Sequence, residues 1–332
     1  MSLIFAIESS CDETAIAIIN EKRELLANIV SSQIDTHRLY GGVVPEIASR
    51  LHVENIGVVI EQALSTAKID LNDIDAFAVT RGPGLVGSLH VGLQAAKTLS
   101  LAYHKPLIGV HHIAGHIYAN ALVDEIEYPC LALVVSGGHT ELVYMKEPMA
   151  FELLGTTYDD AIGEAYDKVA RVLGLPYPGG PAIDRLAKSG QLTYDLPIPL
   201  QDGSLNFSFS GLKSAVINLV NRAKMKHEEI RSADLAASFQ TVAIRSLVEK
   251  TQLAYEKYQP KHIVVAGGVA ANSYLRKEMT KTFTDVKLTI PPLWCCTDNA
   301  AMIASAALEM FGKQQFSDLN LGCKPMIDLE NG

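Results

Sequence analysis

The sequence predicts an α/β protein in which two related domains repeat one plan of strands and helices. Two observations support this prediction. A length of 332 residues, with 48% hydrophobic and 20% charged side chains, is enough for two globular domains that each bury a core. In addition, two strands joined by a polar corner, followed farther on by a strand, a glycine-bearing loop and a helix, occur twice along the chain.

The first copy of this plan opens the chain. Apolar residues 3–7 and 15–19 predict two strands, and residues 8–14 between them form an unusually polar corner. A third strand is expected over 25–30, and apolar positions recur at helical spacing over 46–68. The next elements in order are a strand at 76–80, a glycine-rich loop at 81–87, a helix that runs through Tyr103 and a short strand at 107–110.

The second copy begins with an apolar strand at 131–135, a tight polar turn at 136–140 and a return strand at 141–145. Both polar corners end in a threonine just before the return strand. A later strand at 262–266 enters the loop 267–272 and then a helix, in the same order as in the first copy. The two halves therefore share order and corner chemistry rather than sequence letters.

A mostly helical block interrupts the second copy, from about residue 158 to residue 258. Within it, helices are expected over 211–224 and 233–258, and a last helix over 298–311 could return to pack on the first domain. The predicted domains are residues 1–109 together with about 299–332, and residues 110–298 with the helical block as an insertion.

Composition and charge narrow the class of protein. The chain has 28 basic and 37 acidic side chains, and a net charge of −9 argues against a broad, unaided grip on nucleic acid. The first residues lack a basic region, so no signal peptide is expected, and no apolar run approaches the ~18 residues of a membrane span. Five cysteines without a C-x-x-C pair disfavour both a disulfide framework and a cysteine zinc site. We therefore expect a cytoplasmic protein that does not enter the membrane.

Three Gly-Gly corners, at 137–138, 179–180 and 267–268, are candidates for binding phosphate. Glycine lets backbone N–H groups approach phosphate oxygens closely, although a single Gly-Gly pair is most often a tight turn. Three such corners, each with a polar neighbour, favour a shared ligand such as a nucleotide. The sequence contains no P-loop motif G-x-x-x-x-G-K-[ST], which excludes the P-loop class of nucleotide-binding proteins.

His112 and His116 are four residues apart, so on a helix both imidazoles could reach one metal ion. His111 makes this segment dense in histidine, and Asp298, at the start of a distant helix, could add a carboxylate ligand. The alternative is that Asp298 only caps its helix and that the histidines pack near the surface. Ile113 stands where a zinc peptidase would need its general-base glutamate, which tells against proteolysis.

Two groups of carboxylates could take part in chemistry. Glu8, Asp12 and Glu13 crowd around the first polar corner, and so much like charge favours activation of a metal, water or amine over a structural turn. Asp167, with the lysine after it, could hold ribose hydroxyls and a charged substrate group. A solvated acidic helix with an i,i+4 ion pair is the alternative there, and Asp184 has the same two interpretations.

Nine short motifs stand in order along nearly the whole chain. They are ESSCDET (8–14), RGPGLVGS (81–88), HIAGH (112–116), VSGGHT (135–140), DDAIGEAYDK (159–168), YPGGP (177–181), SFSGLK (208–213), GGVAAN (267–272) and TDNA (297–300). Together they strongly resemble the TsaD family, the tRNA adenosine threonylcarbamoyltransferases, long misnamed O-sialoglycoprotein endopeptidases. So many specific motifs in register leave little room for coincidence.

The resemblance implies a fold and a reaction. The fold is that of actin, Hsp70 and the sugar kinases (the ASKHA fold), with two related α/β domains around a nucleotide-binding cleft. In the reaction, the N6 amine of the anticodon-adjacent adenosine in ANN-reading tRNAs attacks the carbamoyl carbon of threonylcarbamoyl-AMP, and AMP leaves. The chain would therefore be an acyltransferase with an adenine nucleotide or threonylcarbamoyl-AMP in its cleft.

The resemblance also assigns site residues. The metal ligands would be His112, His116 and Asp298, holding one divalent ion, iron or alternatively zinc. Asp12 and Glu13 would lie at the reacting end as the catalytic carboxylates. The residues that hold the adenylate would be Val134, Val135, Ser136, Gly137, Gly138, Asp167, Gly180, Asp184 and Asn272.

Partners are implied as well. Besides tRNA as substrate, the resemblance implies a shorter paralogous protein that forms a heterodimer through the predicted helix at 53–63. It further implies a small P-loop ATPase that joins the complex, and a separate enzyme that makes the adenylate.

Two other functions compete with this one. An ATP-dependent phosphotransferase of the same fold should have a first corner resembling D-x-G-x-T, in which glycine gives the phosphates access to the backbone. Here the corner reads Ser-Ser-Cys-Asp-Glu-Thr, which is bulkier and more acidic. The third function is a non-catalytic nucleotide-binding scaffold, for which the metal-site residues would be dispensable.

Overall fold

The computed structural model describes residues 2–331, which divide into two compact units. Within these residues unit 1 comprises 2–126, 148–150 and 294–331, and unit 2 comprises 127–147 and 151–293. Each unit is built on one five-stranded sheet. None of the five cysteines, all within the described part, is in a disulfide. No helix among residues 2–331 combines the length and the apolar character that a membrane span requires.

The strands and helices are numbered along the chain. The strands are β1 (Leu3–Glu8), β2 (Glu13–Asn20), β3 (Leu25–Ser32), β4 (Ala76–Gly82), β5 (Leu107–His111), β6 (Cys130–Val135), β7 (Thr140–Met145), β8 (Phe151–Thr156), β9 (His262–Ala266) and β10 (Lys287–Thr289). The helices are α1 (Ile34–Arg38), α2 (Pro45–Ala67), α3 (Val86–Tyr103), α4 (His112–Tyr118), α5 (Ile162–Val172), α6 (Gly179–Ala187), α7 (Ser210–Lys226), α8 (Ser232–Tyr258), α9 (Ser273–Thr282), α10 (Leu293–Cys296) and α11 (Ala300–Gly312). Short 3₁₀ turns lie at Leu71–Asp73, Ala119–Leu122, Gly268–Ala271 and Leu329–Asn331.

The two sheets have the same topology. In unit 1 the order is β3-β2-β1-β4-β5, and in unit 2 it is β8-β7-β6-β9-β10. In both, the first three strands in the chain form an antiparallel meander. The two later strands add in parallel next to the first strand of that meander. The predicted duplication of one α/β plan is therefore confirmed, and the structure adds that the two sheets repeat one strand order and one pattern of pairing.

Helices cover both faces of the unit 1 sheet, which is why β1 is buried along its whole length. Helices α2 and α3 contribute to the apolar cluster that contains Phe5, Ile7 and Phe77. Helix α11 packs against β1 and β2, and also against α4. The last helix thus packs on the first sheet, as the sequence predicts, although it begins at Ala300 rather than at 298.

The domain bounds of 1–109 plus about 299–332, and 110–298, remain a prediction. The compact units differ from them in that residues 110–126, 148–150 and 294–298 belong to unit 1. The physical reason is the contact between α4 and α11 within that unit, where Gly115 faces Ile303 so closely that a Cβ would lie 2.7 Å from its Cδ1 atom.

Phe77 is expected to be a major contributor to the stability of unit 1. Its ring meets that of Phe5 edge to face, with centroids 5.6 Å apart, and both side chains are fully buried. Phe77→Ala should lower the free energy of unfolding by about 3–5 kcal/mol, measured by chemical denaturation, because burial is lost and a cavity remains. Leu101→Ala, at an exposed position of α3, should change it by less than ~0.5 kcal/mol. Equal losses in the two variants would contradict this packing.

Candidate metal and nucleotide sites

The two histidines of the predicted metal site point at the same carboxylate. The Nε2 atom of His116 lies 3.1 Å from Oδ1 of Asp298, and the Nε2 atom of His112 lies 3.5 Å from that oxygen. The two imidazole rings are 4.6 Å apart and nearly perpendicular. One ligand atom from each of the three residues lies within 4.8 Å of the others. The structure therefore brings together in unit 1 residues that are far apart in the sequence.

Helix α4 starts directly at the end of β5, and His111 makes this junction. Its Nδ1 accepts a hydrogen bond from the backbone N–H of Ile113 at 3.1 Å and so caps α4. Its Nε2 lies 3.1 Å from the carbonyl oxygen of Ile327 and must donate to it. Burial lowers the pKa of His111 to about 4, so the ring is neutral and can fill both roles. His111 thus orients α4, while the next residue, His112, faces Asp298.

Asp298 does not cap the last helix. The cap is Asn299, whose side-chain oxygen accepts the N–H of Met302 at 3.1 Å. The two histidines are also buried rather than near the surface, with His112 8% and His116 1% exposed. The alternative in which Asp298 caps its helix and the histidines pack near the surface is therefore wrong. The Asp298 carboxylate is instead directed at His112 and His116.

Glu8 lies behind His112 and is fully buried. Its Oε2 atom lies 3.3 Å from Nδ1 of His112 and accepts a hydrogen bond from the Thr80 hydroxyl at 2.5 Å, while Ser10 Oγ lies 3.2 Å from the same Nδ1. Burial by itself would lower the pKa of His112, but the carboxylates of Asp298 and Glu8 raise it to about 9. Burial would likewise raise the pKa of Glu8, but His112 beside it holds that pKa below its ordinary value.

These residues fit a divalent metal ion. Two imidazole nitrogens and one carboxylate oxygen are a donor set suited to zinc or iron. Three protein ligands leave a coordination position open for a reacting group, as in catalytic rather than structural sites. A carboxylate on the far nitrogen of a ligand histidine, as Glu8 provides for His112, is the usual support of such a site. The corresponding Nδ1 of His116 is buried without a hydrogen-bond partner.

The acidic corner between β1 and β2 lies in the same unit. Asp12 is 8% exposed, and Glu13 receives a hydrogen bond from the Ser32 hydroxyl at 3.2 Å. Burial, together with the nearby charges of Asp12 and Asp298, raises the pKa of Glu13 well above its ordinary value. Asp298 is thus close enough to both His112 and Glu13 to affect the charge of each.

The predicted adenylate-binding residues lie in unit 2. Val134 and Val135 end β6 with fully buried side chains, so only their backbone could face a ligand. In the turn that follows, the hydroxyl oxygen of Ser136 accepts the N–H groups of Gly138 at 3.3 Å and of His139 at 3.0 Å. A Cβ on Gly137 or on Gly138 would meet nothing within 4 Å, so this side of the turn is open.

The helix that begins at the second Gly-Gly corner is held by Asp167 of α5. The Oδ1 atom of Asp167 accepts the N–H of Gly179 at 2.7 Å, and burial raises the pKa of this carboxyl. The next residue, Gly180, has open space where a Cβ would lie. Asp184 on the same helix α6 accepts both the hydroxyl and the N–H of Ser273, at 2.9 and 3.3 Å.

Asn272 caps α9, since its Oδ1 accepts the N–H groups of Tyr274 and Leu275 at 3.0 and 2.9 Å. Its amide nitrogen donates to Oε1 of Gln240 at 2.8 Å. The contacts of Asp184 with Ser273 and of Asn272 with Gln240 therefore gather α6, α8 and α9 around the third Gly-Gly corner. Asp167, Gly180, Asp184 and Asn272 stay predictions as adenylate-binding residues.

Lys168 forms ion pairs on the surface of its own helix region rather than facing the same way as Asp167. Its ammonium group lies 3.0 Å from Oδ1 of Asp160 and 2.7 Å from Oε1 of Glu164, and Lys213 also contacts Asp160. For Lys168 and Glu164 the alternative interpretation, an acidic helix with an i,i+4 ion pair, is therefore correct. Asp167, in contrast, faces the start of α6.

Sequence reasoning missed two supporting residues. Gln240, buried on α8, orients the Asn272 amide, yet a lone glutamine in a 27-residue helix has no pattern that could have singled it out. Glu8 was noted only as part of the acidic corner, whereas its carboxylate supports His112 from 104 residues away. A signal for Glu8 existed, since a charged residue that ends an otherwise apolar strand needs a buried partner.

Comparison with known proteins decides the family. A family model described as "TsaD: tRNA N6-adenosine threonylcarbamoyltransferase" matches residues 24–305. The chain belongs to the TsaD family. A curated relative from Halalkalibacterium halodurans, named tRNA N6-adenosine threonylcarbamoyltransferase, is 56% identical and covers 99% of this chain and 97% of the relative. One of the same name from Bacillus cereus strain ATCC 14579 is 57% identical with the same coverage. The resemblance carried by the nine motifs is therefore confirmed.

Solved structures of distant proteins share the fold. HypF from T. kodakarensis aligns with a TM-score of 0.64 at 13% identity, over 96% of this chain and 49% of that one. The activator of the 2-hydroxyisocaproyl-CoA dehydratase from Clostridium difficile aligns with a TM-score of 0.53 at 13% identity, over 95% and 96% of the two chains. At this level of identity the likeness concerns the fold alone, and it confirms the predicted ASKHA-like architecture of this TsaD member.

Proposed function

We propose that this TsaD-family chain is an acyltransferase. It transfers the threonylcarbamoyl group from threonylcarbamoyl-AMP to the N6 amine of the anticodon-adjacent adenosine in ANN-reading tRNAs and releases AMP. The observation that carries this proposal is 56–57% identity, over 97% of their length, to relatives named tRNA N6-adenosine threonylcarbamoyltransferase. The clustering of His112, His116 and Asp298 beside an acidic corner supports it.

In this proposal His112, His116 and Asp298 hold one divalent metal ion, iron or alternatively zinc. A bound ion of this kind offsets negative charge that develops on a phosphate or carbonyl oxygen of the substrate. Glu8 keeps the His112 ring in place through its Nδ1 atom, and His111 fixes the start of the helix that carries both histidines.

Asp12 and Glu13 serve the proton transfer. As the N6 nitrogen forms its bond to the carbamoyl carbon, the bond from that carbon to the phosphate oxygen breaks, and AMP leaves with the electron pair. The nitrogen loses one proton, and one of these two carboxylates accepts it. A positioned carboxylate is worth about 10²–10⁴-fold in such a step.

The adenylate is held by residues of unit 2. Residues 134–138 and Gly180 would line the phosphate, and the open space beside Gly137, Gly138 and Gly180 leaves room for it at the Gly-Gly corners. Asp167, Asp184 and Asn272 would orient the nucleoside, with Gln240 holding the Asn272 amide.

The proposed partners are tRNA, a shorter paralogous protein and a small P-loop ATPase, in the cytoplasm. Helix α2 has exposed valines, Val53 and Val58, that suit a heterodimer contact with the paralogue. A net charge of −9 makes a broad contact of this chain alone with tRNA phosphates unfavourable, so the partners would supply much of it.

The function is tested by reconstitution. Purified chain, its partner proteins, the adenylate-forming enzyme, threonine, bicarbonate, ATP and an ANN-reading tRNA should yield threonylcarbamoyladenosine, detected by mass spectrometry of digested tRNA. A transcript with guanosine in place of the target adenosine is the matched control and should stay unmodified. Persistent absence of the modified nucleoside from the complete mixture would overturn the proposal.

A further inference from the structure

His52 is a buried histidine with no part in the mechanism above. It lies on α2, and its side chain has no exposed surface. Its Nδ1 atom lies 2.7 Å from Oγ1 of Thr14, and its Nε2 atom lies 3.0 Å from the carbonyl oxygen of Cys11. Both ring nitrogens of this helical residue therefore contact the corner between β1 and β2.

The partners of His52 fix the position of its proton. A backbone carbonyl can only accept, so Nε2 carries the hydrogen and donates it to Cys11. In the neutral ring Nδ1 then accepts, and the Thr14 hydroxyl supplies that hydrogen. Burial lowers the pKa of His52, which favours this neutral form. The ring is thus a two-point link in a single tautomer.

The two anchor points of His52 flank the catalytic carboxylates of the proposed mechanism. Cys11 comes immediately before Asp12, and Thr14 comes immediately after Glu13. The link from α2 therefore spans the stretch of backbone from which both carboxylates project. Because neighbouring carboxylates repel each other when charged, this stretch needs bonds from outside to hold one geometry.

The other contacts of the corner come from different elements. The backbone N–H of Gln33 donates to the carbonyl oxygen of Asp12 at 3.0 Å, and the Ser32 hydroxyl reaches Glu13. At the other end of the corner, the carbonyl oxygen of Ser10 accepts a hydrogen bond from the backbone N–H of Leu85 at 2.8 Å. These bonds hold the corner from β3 and from the start of α3, while His52 holds it from α2.

We propose that His52 is a positioning residue for threonylcarbamoyl transfer: it holds the backbone around Asp12 and Glu13 so that these carboxylates meet the attacking amine. This inference rests on the proposed function, in which one of them takes the proton of that amine. A misplacement of about 1 Å at a reacting group lowers a rate about 10²-fold. Loss of the link should therefore lower kcat, whereas binding of the adenylate, assigned to residues of unit 2, should not change.

The test compares variants of His52 and Thr14 in the reconstituted system. For both His52→Leu and Thr14→Val we expect kcat to fall about 10²-fold, with KM for threonylcarbamoyl-AMP within about twofold of the unaltered chain. Thr14→Ser keeps the hydroxyl donor and should restore most of the rate. Unchanged kcat in His52→Leu and Thr14→Val would overturn the proposal.

Val59→Ala is the matched control for a merely structural effect. Val59 lies on the same helix, 3% exposed, within the core of unit 1. Its truncation should loosen α2 against the core and lower Tm while leaving kcat within about twofold at temperatures where the variant is folded. If Val59→Ala lowers kcat as much as His52→Leu does, the role of His52 is structural and the proposal is overturned.

Asp12→Asn and Glu13→Gln, measured alongside, separate this inference from the function on which it rests. If both keep full kcat, the proposed proton acceptor is wrong, and the positioning role of His52 is overturned with it. If either loses activity while His52→Leu keeps it, the role of His52 alone is overturned. Loss of activity in either carboxylate variant together with His52→Leu, at unchanged KM, supports the proposal.

Discussion

Replacing His112 or Asp298 by alanine is expected to abolish threonylcarbamoyl transfer and to remove the bound metal. Both Nε2 atoms of the histidine pair point at Asp298, so each substitution takes away one of three converging ligands. Residues that only orient metal ligands already account for about 10–100-fold in affinity or activity, so loss of a ligand itself should cost at least ~10²-fold. The measurement is metal content per chain together with the rate of transfer to tRNA.

His90→Ala is the control for these two variants. His90 is an exposed histidine on α3 that is not one of the three clustered residues, and its removal should change neither metal content nor rate. Full transfer activity in His112→Ala and Asp298→Ala would contradict the proposed metal site. It would favour the alternative of a scaffold in which these residues are dispensable.

Neutralising the acidic corner should have the second largest effect. Asp12→Asn and Glu13→Gln keep the shape of each side chain but leave no carboxylate to accept a proton, so the variant of the true acceptor should lose about 10²–10⁴-fold in kcat. Because Glu13 is crowded by burial and by the charges of Asp12 and Asp298, Glu13→Gln should not lower Tm. Rates from single-turnover assays and Tm from thermal unfolding are the measurements.

Glu21→Gln, in the exposed turn after β2, is the matched control, since it removes a carboxylate at the end of β2 opposite to the acidic corner. It should leave both rate and Tm unchanged. If Asp12→Asn and Glu13→Gln both retain the full rate while Glu8, His112 and Asp298 are intact, the proton acceptor lies elsewhere and this part of the mechanism is wrong.

The fold was predictable because each copy of the plan has strong local signals. Apolar strands, a polar corner that ends in threonine and a glycine loop before a helix appear in both halves, and the two sheets repeat one topology. The strands that were missed, β8 and β10, lack such signals. The first is a partly exposed edge strand and the second has three residues, so neither has an extended apolar pattern.

The candidate site was predictable only where its residues share a helix or a motif. His112 and His116 stand at helical spacing, whereas Asp298 is 182 residues from His116 in the sequence and was assigned through its motif. The support of His112 by Glu8, and of Asn272 by Gln240, depends on tertiary packing between elements that no local pattern links. For Lys168, in contrast, the local sequence pattern was sufficient. The i,i+4 spacing to Glu164 predicts the ion pair that the structure shows.

Direct transfer from isolated threonylcarbamoyl-AMP tests the central claim. With the carbamoyl carbon labelled, and without ATP, threonine or the adenylate-forming enzyme, the chain with its partner proteins should move the label to the target adenosine in a single turnover and release one AMP per modified tRNA. The Asp298→Ala variant should not. If the label stays on the adenylate, or enters tRNA equally well without this chain, the account of it as the threonylcarbamoyl transferase is wrong.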